Sequence, residues 1–194
     1  EIIARIRAAH ERGLDVARVH TGDPALYGAI GEQIRELERL EIPYEVVPGV
    51  TAAFAGAAML RRELTLPGVS QTIILTRHAG KTPMPAGESL PELARHRATL
   101  AIYLSVDKLR EIVAELIPHY GADCPVAVLH RVSWPDQDGV VGTLADIAAK
   151  VEVKGFTRTA LILVGRVIQP EGFPPSYLYS AEHAEWYRRN SEAG

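Results

Sequence analysis

Two short apolar runs, each closed by a turn of glycine and proline, lie on either side of an amphipathic helix pattern near the start of this sequence. Leu14 to His20 (LDVARVH) alternates like a strand and leads into Thr21-Gly22-Asp23-Pro24. Tyr44 to Val47 is a second run, stopped by Pro48-Gly49. Between them, Tyr27 to Leu40 places Ile30, Ile34, Leu37 and Leu40 on one face and Glu32, Arg35, Glu36 and Arg39 on the other. An alanine-rich helix over Thr51 to Leu60 follows. Strands that alternate with helices are joined by crossovers and run parallel, so this order predicts an α/β fold with a parallel sheet.

The remaining pattern extends that reading. Ile2, Ile3, Ile6 and Ala9 fall at helical spacing from the first residue, with no capping residue before them, and Gly13 is a candidate C-cap. The chain starts with Glu rather than Met, and residues upstream of this helix are expected. Leu64 to Gly68 (LTLPG) interrupts both periodicities and reads as a hinge. Beyond it, Gln71–Thr76, Thr99–Leu104, Pro125–His130, Val140–Leu144 and Thr159–Val167 read as strands, and Val106–Ile117 and Asp146–Val151 as helices. Lys81 to Glu88, with two prolines and one glycine, reads as a surface loop. The expected organisation is a first α/β domain over residues 1–66, truncated at its start, a second over 67–169, and a peripheral tail over 170–194.

Charge and composition remove several function classes. The 21 lysines and arginines are scattered among 24 acidic residues, giving a net charge of -3, so no basic field exists to hold nucleic acid. The longest apolar stretches, such as Thr159 to Val164 (TALILV), are of strand length and too short to cross a bilayer, so no membrane partner is expected. A single cysteine, Cys124, excludes an intramolecular disulfide and a thiolate metal cage. Beside Pro125 at the start of an apolar run it reads as a core residue, and the expected compartment is the reducing cytoplasm. Glu1 to His10 is charged and amphipathic, unlike the apolar centre of a signal peptide. The seven histidines are dispersed without HxxxH or HxH spacing, so no metal site is expected. GxGxxG and P-loop spacings are absent, which argues against a nucleotide-binding motif of either kind.

Three strand-end turns can carry chemistry: Thr21-Gly22-Asp23-Pro24, Pro48-Gly49-Val50-Thr51-Ala52 and Tyr103-Leu104-Ser105. Open α/β sheets bind ligands beyond the carboxyl ends of their strands. Gly22 permits a backbone approach that a side chain would block, and Gly49, Thr51 and Ala52 leave room for a bulky group. A lone Gly-Asp-Pro is more often a plain turn. Order and spacing add what each turn lacks.

The run Val19–Glu32 (VHTGDPALYGAIGE), followed by Tyr44–Ala53 (YEVVPGVTAA), resembles the tetrapyrrole methylase family. Pro125–Val128, Gly142-Thr143-Leu144 and Thr159–Gly165 match the same family in the same order, so the resemblance reaches to about Val167. Glu63–Pro85 (ELTLPGVSQTIILTRHAGKTPMP), His96–Ser105 and Arg131–Asp136 resemble the branch that methylates C-11 of precorrin-4 or of its cobalt-bearing counterpart. A relative acting on another ring carbon, or an inactive cofactor-binding fragment, stays open at this point. The family opens with a strand and a Gly-x-Gly-Pro-Gly loop that this sequence lacks.

The resemblance implies a two-domain fold, each domain a sheet flanked by helices, with S-adenosylmethionine bound in the cleft between them. It implies cofactor contacts at Thr21, Gly22, Asp23, Leu26, Thr51 and Ala52, and at Leu104, Val132 and Ala160. It implies a tetrapyrrole substrate and a homodimer. The substrate's carboxylates call for cations, and Arg77, Lys81 and Arg131 are the candidates, each weighed against an ordinary solvated charge. A base is needed only if the methylated ring then loses a proton, and His78 and His130 are weak candidates. Trp134 and Tyr103 are candidates to stack on a macrocycle, though both residue types more often serve in packing.

Overall fold

A computed structural model describes residues 1–191 of the chain. These divide into two units, Glu1–Phe54 and Ala55–Gly194, with the last three residues outside the description.

The first unit holds helices α1 (Ile2–His10) and α2 (Ile30–Arg39) and the beginning of α3 (Ala52–Leu60). The apolar stripe of α2 lies where its periodicity predicts, but Ile30, Ile34 and Leu37 face a cavity of about 610 Å³ instead of a filled core. Ile6 of α1 and the runs Leu14–His20 and Ile42–Gly49 line the same space. Neither α1 nor α2 has a buried residue.

The strands expected over Leu14–His20 and Tyr44–Val47 do not form: both runs are irregular chain without sheet pairing. Alternation reports which side of a segment is apolar. A strand also requires a hydrogen-bonded neighbour about 4.8 Å away, and neither run, both lining the cavity, is paired with one. The parallel sheet predicted for this half of the chain is therefore absent among the described residues.

The second unit is built on one five-stranded sheet. In chain order it comprises β1 (Ile73–Arg77), α4 (Leu90–Ala94), β2 (Thr99–Tyr103), α5 (Leu109–Tyr120), β3 (Pro125–His130), β4 (Asp138–Thr143), α6 (Ile147–Lys154) and β5 (Ala160–Val164), followed by α7 (Ala181–Ser191). The spatial order is β1-β2-β5-β3-β4, with β1 and β2 parallel and every other pairing antiparallel. β5 is thus inserted between β2 and β3, running against both.

Alternation places the two faces of these central strands on different partners. Leu100, Ile102, Val126, Val128, Ile162 and Val164 point toward α4, α5 and α6 and join Ile112, Leu116, Ile147 and Val151 in one buried cluster. On the opposite face α3 approaches through Gly56. A Cβ there would lie 2.7 Å from a Leu129 methyl and 3.3 Å from one of Leu161, so the glycine sets the closeness of helix and sheet. Cys124 is fully buried at the head of β3, and burial pushes its thiol up from an ordinary 9.0 to about 11.

Two elements were not anticipated. α4 starts at a capping box, in which the Glu92 carboxylate accepts from the Ser89 hydroxyl and backbone N–H. The segment after Pro170, expected as a plain tail, carries a short 3₁₀ turn at Tyr177–Tyr179 and then α7.

Candidate active site

In the first unit a single carboxylate ties together the two turns picked out by the sequence. Asp23 Oδ1 accepts the Ala25 N–H at 2.8 Å, an Asx turn that shapes Gly22-Asp23-Pro24. Asp23 Oδ2 accepts the Gly49 N–H at 3.0 Å and so reaches the second turn, far away in sequence. The backbones pass closely here: a Cβ on Gly49 would overlap the Gly22 carbonyl. Gly22 itself adopts φ +69, a conformation that side-chain-bearing residues rarely take. The carboxylate is engaged with backbone on both oxygens, which makes turn-shaping its visible role. Thr21 is exposed beside this junction, Leu26 is half-buried, Thr51 is buried and Ala52 opens α3.

In the second unit the register of the sheet assembles the other candidates. Arg77 pairs with Tyr103 at the carboxyl ends of β1 and β2, and His130 pairs with Ala160 where β3 ends and β5 begins. The β2–β5 register, with Ile102 opposite Ile162, brings Leu104 to the same end. Arg77, His78, Leu104, His130, Arg131, Val132 and Ala160 therefore share one edge of one sheet, while Lys81 is exposed in the loop beyond His78. The backbone is strained along this edge. Leu104 (φ 55), Arg131 (φ 49), Ser133 (φ 72) and Thr159 (φ 53) all occupy the left-handed region. Such residues cost of order 1–3 kcal/mol each and gather at functional sites. Leu104 is also 74% exposed, so an apolar side chain is held out into solvent on a strained backbone.

The cations at this edge have distinct environments. The Arg77 guanidinium donates to the carbonyls of Thr82 at 2.9 Å and Pro83 at 3.0 Å, holding its own loop. Arg131 pairs with Asp136 at 2.5 Å and lies over the Trp134 ring at 4.3 Å, so that ring backs a cation. Lys81 makes no ion pair among the described residues. His78 has both ring nitrogens occupied, Nδ1 against the Ala79 carbonyl at 3.1 Å and Nε2 against Glu115 at 3.2 Å. His130 stacks on Phe156, with ring centroids 4.7 Å apart. Across from it in the β3–β4 ladder, the Lys154 ammonium holds the Asp138 carboxyl below the usual carboxylate range. No group of three or more His, Cys, Asp or Glu among the described residues is disposed to hold a metal ion.

The model of the family Tetrapyrrole (Corrin/Porphyrin) Methylases matches residues 1–148. The chain belongs to the tetrapyrrole methylase family. It is 67% identical over 188 residues to precorrin-4 C(11)-methyltransferase of Pseudomonas aeruginosa, covering 97% of this chain and 75% of that one. Among solved structures, a cobalamin biosynthetic enzyme described as cobalt precorrin-4 methyltransferase superposes with a TM-score of 0.85 at 41% identity, over 88% of this chain and 72% of that one. Uroporphyrin-III C-methyltransferase of Thermus thermophilus, solved with S-adenosylhomocysteine, superposes with a TM-score of 0.68 at 28% identity, over 85% and 72% of the two chains.

Two further residues bear on this edge in this tetrapyrrole methylase, Ser105 from a turn already singled out in the sequence and Glu115, which carried no such signal. Ser105 is buried and joins the ends of β1 and β2, its hydroxyl accepting the His78 N–H at 2.9 Å and donating to the Tyr103 carbonyl at 2.6 Å. Glu115 stands on a helix otherwise read for its apolar face, and nothing in its spacing points to His78.

Proposed function

We propose that this chain is an S-adenosylmethionine-dependent C-methyltransferase that methylates C-11 of precorrin-4, or of cobalt-precorrin-4, in cobalamin biosynthesis. The observation that carries the reading is the 67% identity to a precorrin-4 C(11)-methyltransferase across 97% of the chain.

The residues fit the methyl donor. Small and apolar groups at Gly22, Gly49, Ala52, Leu104 and Ala160 suit recognition by shape and backbone. When bound, S-adenosylmethionine supplies a methyl group on a cationic sulfur that leaves as a neutral thioether. Thr21, Gly22, Asp23, Leu26, Thr51 and Ala52 are the contacts proposed in the first unit, with Leu104, Val132 and Ala160 in the second. Asp23 acts by holding two of these turns in register.

The tetrapyrrole brings its own electron-rich carbon. The protein's task is to align that carbon with the methyl group and to keep water away, which is catalysis by position. Lys81 and Arg131 meet the substrate's carboxylates, and Arg77 supports Lys81 by fixing the loop that carries it. Where the methylated ring then releases a proton, His130 takes it. Its ring makes no hydrogen bond among the described residues, whereas both nitrogens of His78 are engaged.

The enzyme works in the cytoplasm as a homodimer. The single reduced cysteine supports the compartment, and the resemblance supports the dimer. No helix among the described residues is long and apolar enough to cross a membrane. Incubation with methyl-labelled S-adenosylmethionine and purified precorrin-4, or its cobalt counterpart, should place the label at C-11 by carbon NMR. Label at another ring carbon, or none with either substrate, would refute the assignment.

A further inference from the structure

Between the sheet edge and α5 lies a pair of titratable groups that methyl transfer itself does not use. The His78 side chain is only 9% exposed. Its backbone N–H is anchored on Ser105, and its ring is wedged between two groups that accept hydrogen bonds: the Ala79 carbonyl on one side and the Glu115 carboxylate on the other. A neutral imidazole has one N–H and one lone pair, so it can satisfy only one of them. Both contacts are made together when the pair holds one more proton, either as imidazolium with carboxylate or as imidazole with carboxylic acid. Glu115 needs that proton as well. Its Oε2 is shielded from solvent and has no hydrogen-bond partner, so His78 provides the compensation that water does not.

We propose that His78 and Glu115 form a protonation-dependent latch, closed when they share a proton, that fixes the base of the loop carrying Lys81 and so positions that cation for the substrate. The role of Lys81 rests on the function proposed above; the latch itself rests on contacts within the second unit.

α4, which packs against α5, carries one carboxylate, Glu92, and that group is bonded to Ser89. From its own segment, His78 meets the Arg77 guanidinium, 3.4 Å from the His78 carbonyl and committed to the carbonyls of Thr82 and Pro83. At the end of β2 the neutral Ser105 hydroxyl accepts its backbone N–H, and Tyr103, opposite Arg77, is the titratable group of that strand end. On α5, Glu111 and His119 stand one turn to either side of Glu115, and Glu111 is paired with Lys108. Arg77 and His78 thus hold the loop in two ways. The arginine grips Thr82 and Pro83 at every pH, and the histidine grips Ala79 and α5 only while the shared proton is present.

The sign follows from that arrangement. When the shared proton is lost at higher pH, one ring contact turns into facing lone pairs and the Glu115 charge loses its partner. The loop base then loosens, and affinity for the carboxylate-bearing substrate falls. A pair that only shaped the fold would weaken cofactor binding and turnover alike. The latch instead predicts that KM for the tetrapyrrole rises about tenfold on the alkaline side, while affinity for S-adenosylhomocysteine stays constant and kcat moves far less than KM.

Three measurements on the full chain test this. Histidine ring nitrogen NMR should show both His78 nitrogens hydrogen-bonded below the transition and one of them released above it, and the protection of the Gly80 and Thr82 amides, corrected for the intrinsic base-catalysed rate, should fall. In Glu115→Gln the side-chain amide can donate to a neutral ring whose other nitrogen donates to Ala79, so both contacts survive loss of the proton and the alkaline rise in KM should disappear. In His78→Gln the raised KM should persist at every pH and the transition should vanish. Ring hydrogen bonding of His78 that does not change with pH, or a KM profile unchanged in His78→Gln, would overturn the latch, as would equal losses in cofactor affinity. NMR and exchange require no turnover, so the latch can stand or fall separately from the substrate assignment.

Discussion

Replacing Asp23 with alanine removes both carboxylate contacts that join the Gly22 turn to the Gly49 turn. Hydrogen bonds to charged acceptors contribute about 1.5–3 kcal/mol, but these lie at an accessible turn where water replaces part of each. About 1 kcal/mol apiece, or about 2 kcal/mol together, is the appropriate scale, and that corresponds to roughly 30-fold in affinity. Asp23→Asn keeps one acceptor and turns a donor toward the other N–H, so it should lose about half as much, near 5-fold. The informative comparison is between two ligands measured by calorimetry on the same proteins. S-adenosylmethionine has a cationic sulfur and S-adenosylhomocysteine a neutral one, and they otherwise share the groups that the turns would meet. If Asp23 works by holding the turns, both affinities fall together. If it works by attracting the sulfonium, a charge about 5 Å away in water contributes about 0.8 kcal/mol to S-adenosylmethionine alone. An Asp23→Ala protein that keeps its S-adenosylhomocysteine affinity while losing S-adenosylmethionine would refute the turn-holding account.

Other outcomes follow from the second unit and from the cavity. Ile162→Ala empties a fully buried position on the central strand and should destabilise the unit by about 2–5 kcal/mol, measured by denaturant unfolding. Trp134→Ala removes the ring beneath Arg131, worth about 0.5–1 kcal/mol at an exposed site, and should raise KM for the tetrapyrrole about twofold to fivefold with S-adenosylhomocysteine affinity intact. Cys124 should resist thiol reagents at mildly alkaline pH until the chain unfolds. Because its folded pKa lies above the unfolded value, it contributes stability that is complete below about pH 9 and declines as pH rises toward about 11, which alkaline unfolding series would detect. Amides of Val16–His20 and Tyr44–Val47 lack sheet pairing and should exchange far faster than those of Ile102, Val128 and Ile162.

The sequence was most readable where one physical requirement dominated. Pro125–His130 has a turn on each side and an unbroken apolar run, and β3 occupies those residues. Thr51–Leu60 likewise gave α3 to within one residue at its start. Ser89 with Glu92 was a usable signal for α4, since a capping box is a local pattern, yet residues 89–94 were assigned no element. Pairing was harder. Alternation in Leu14–His20 reports an apolar side and says nothing about which neighbour supplies hydrogen bonds, so the expected strand has no counterpart in the structure. Nor does any local pattern reveal that β5 runs between β2 and β3, yet that insertion is what brings Ala160 to Leu104 and His130. The left-handed backbone at Leu104, Arg131 and Thr159 was equally hidden, because none is glycine or asparagine.

The edge that gathers Arg77, Leu104, Arg131 and Ala160 is fed by four connections far apart in the chain, three leaving β1, β2 and β3 and one entering β5 of the same rigid sheet. A loop of this kind can lengthen, change its charge or adopt a new bend without transmitting the change to the others, since the strands between them are locked by the core. One scaffold can therefore be retuned piecemeal to present a different ring carbon or a different set of acidic arms to the same donor. On this arrangement, variation among relatives should concentrate loop by loop, with the buried residues of β2, β3 and β5 changing least.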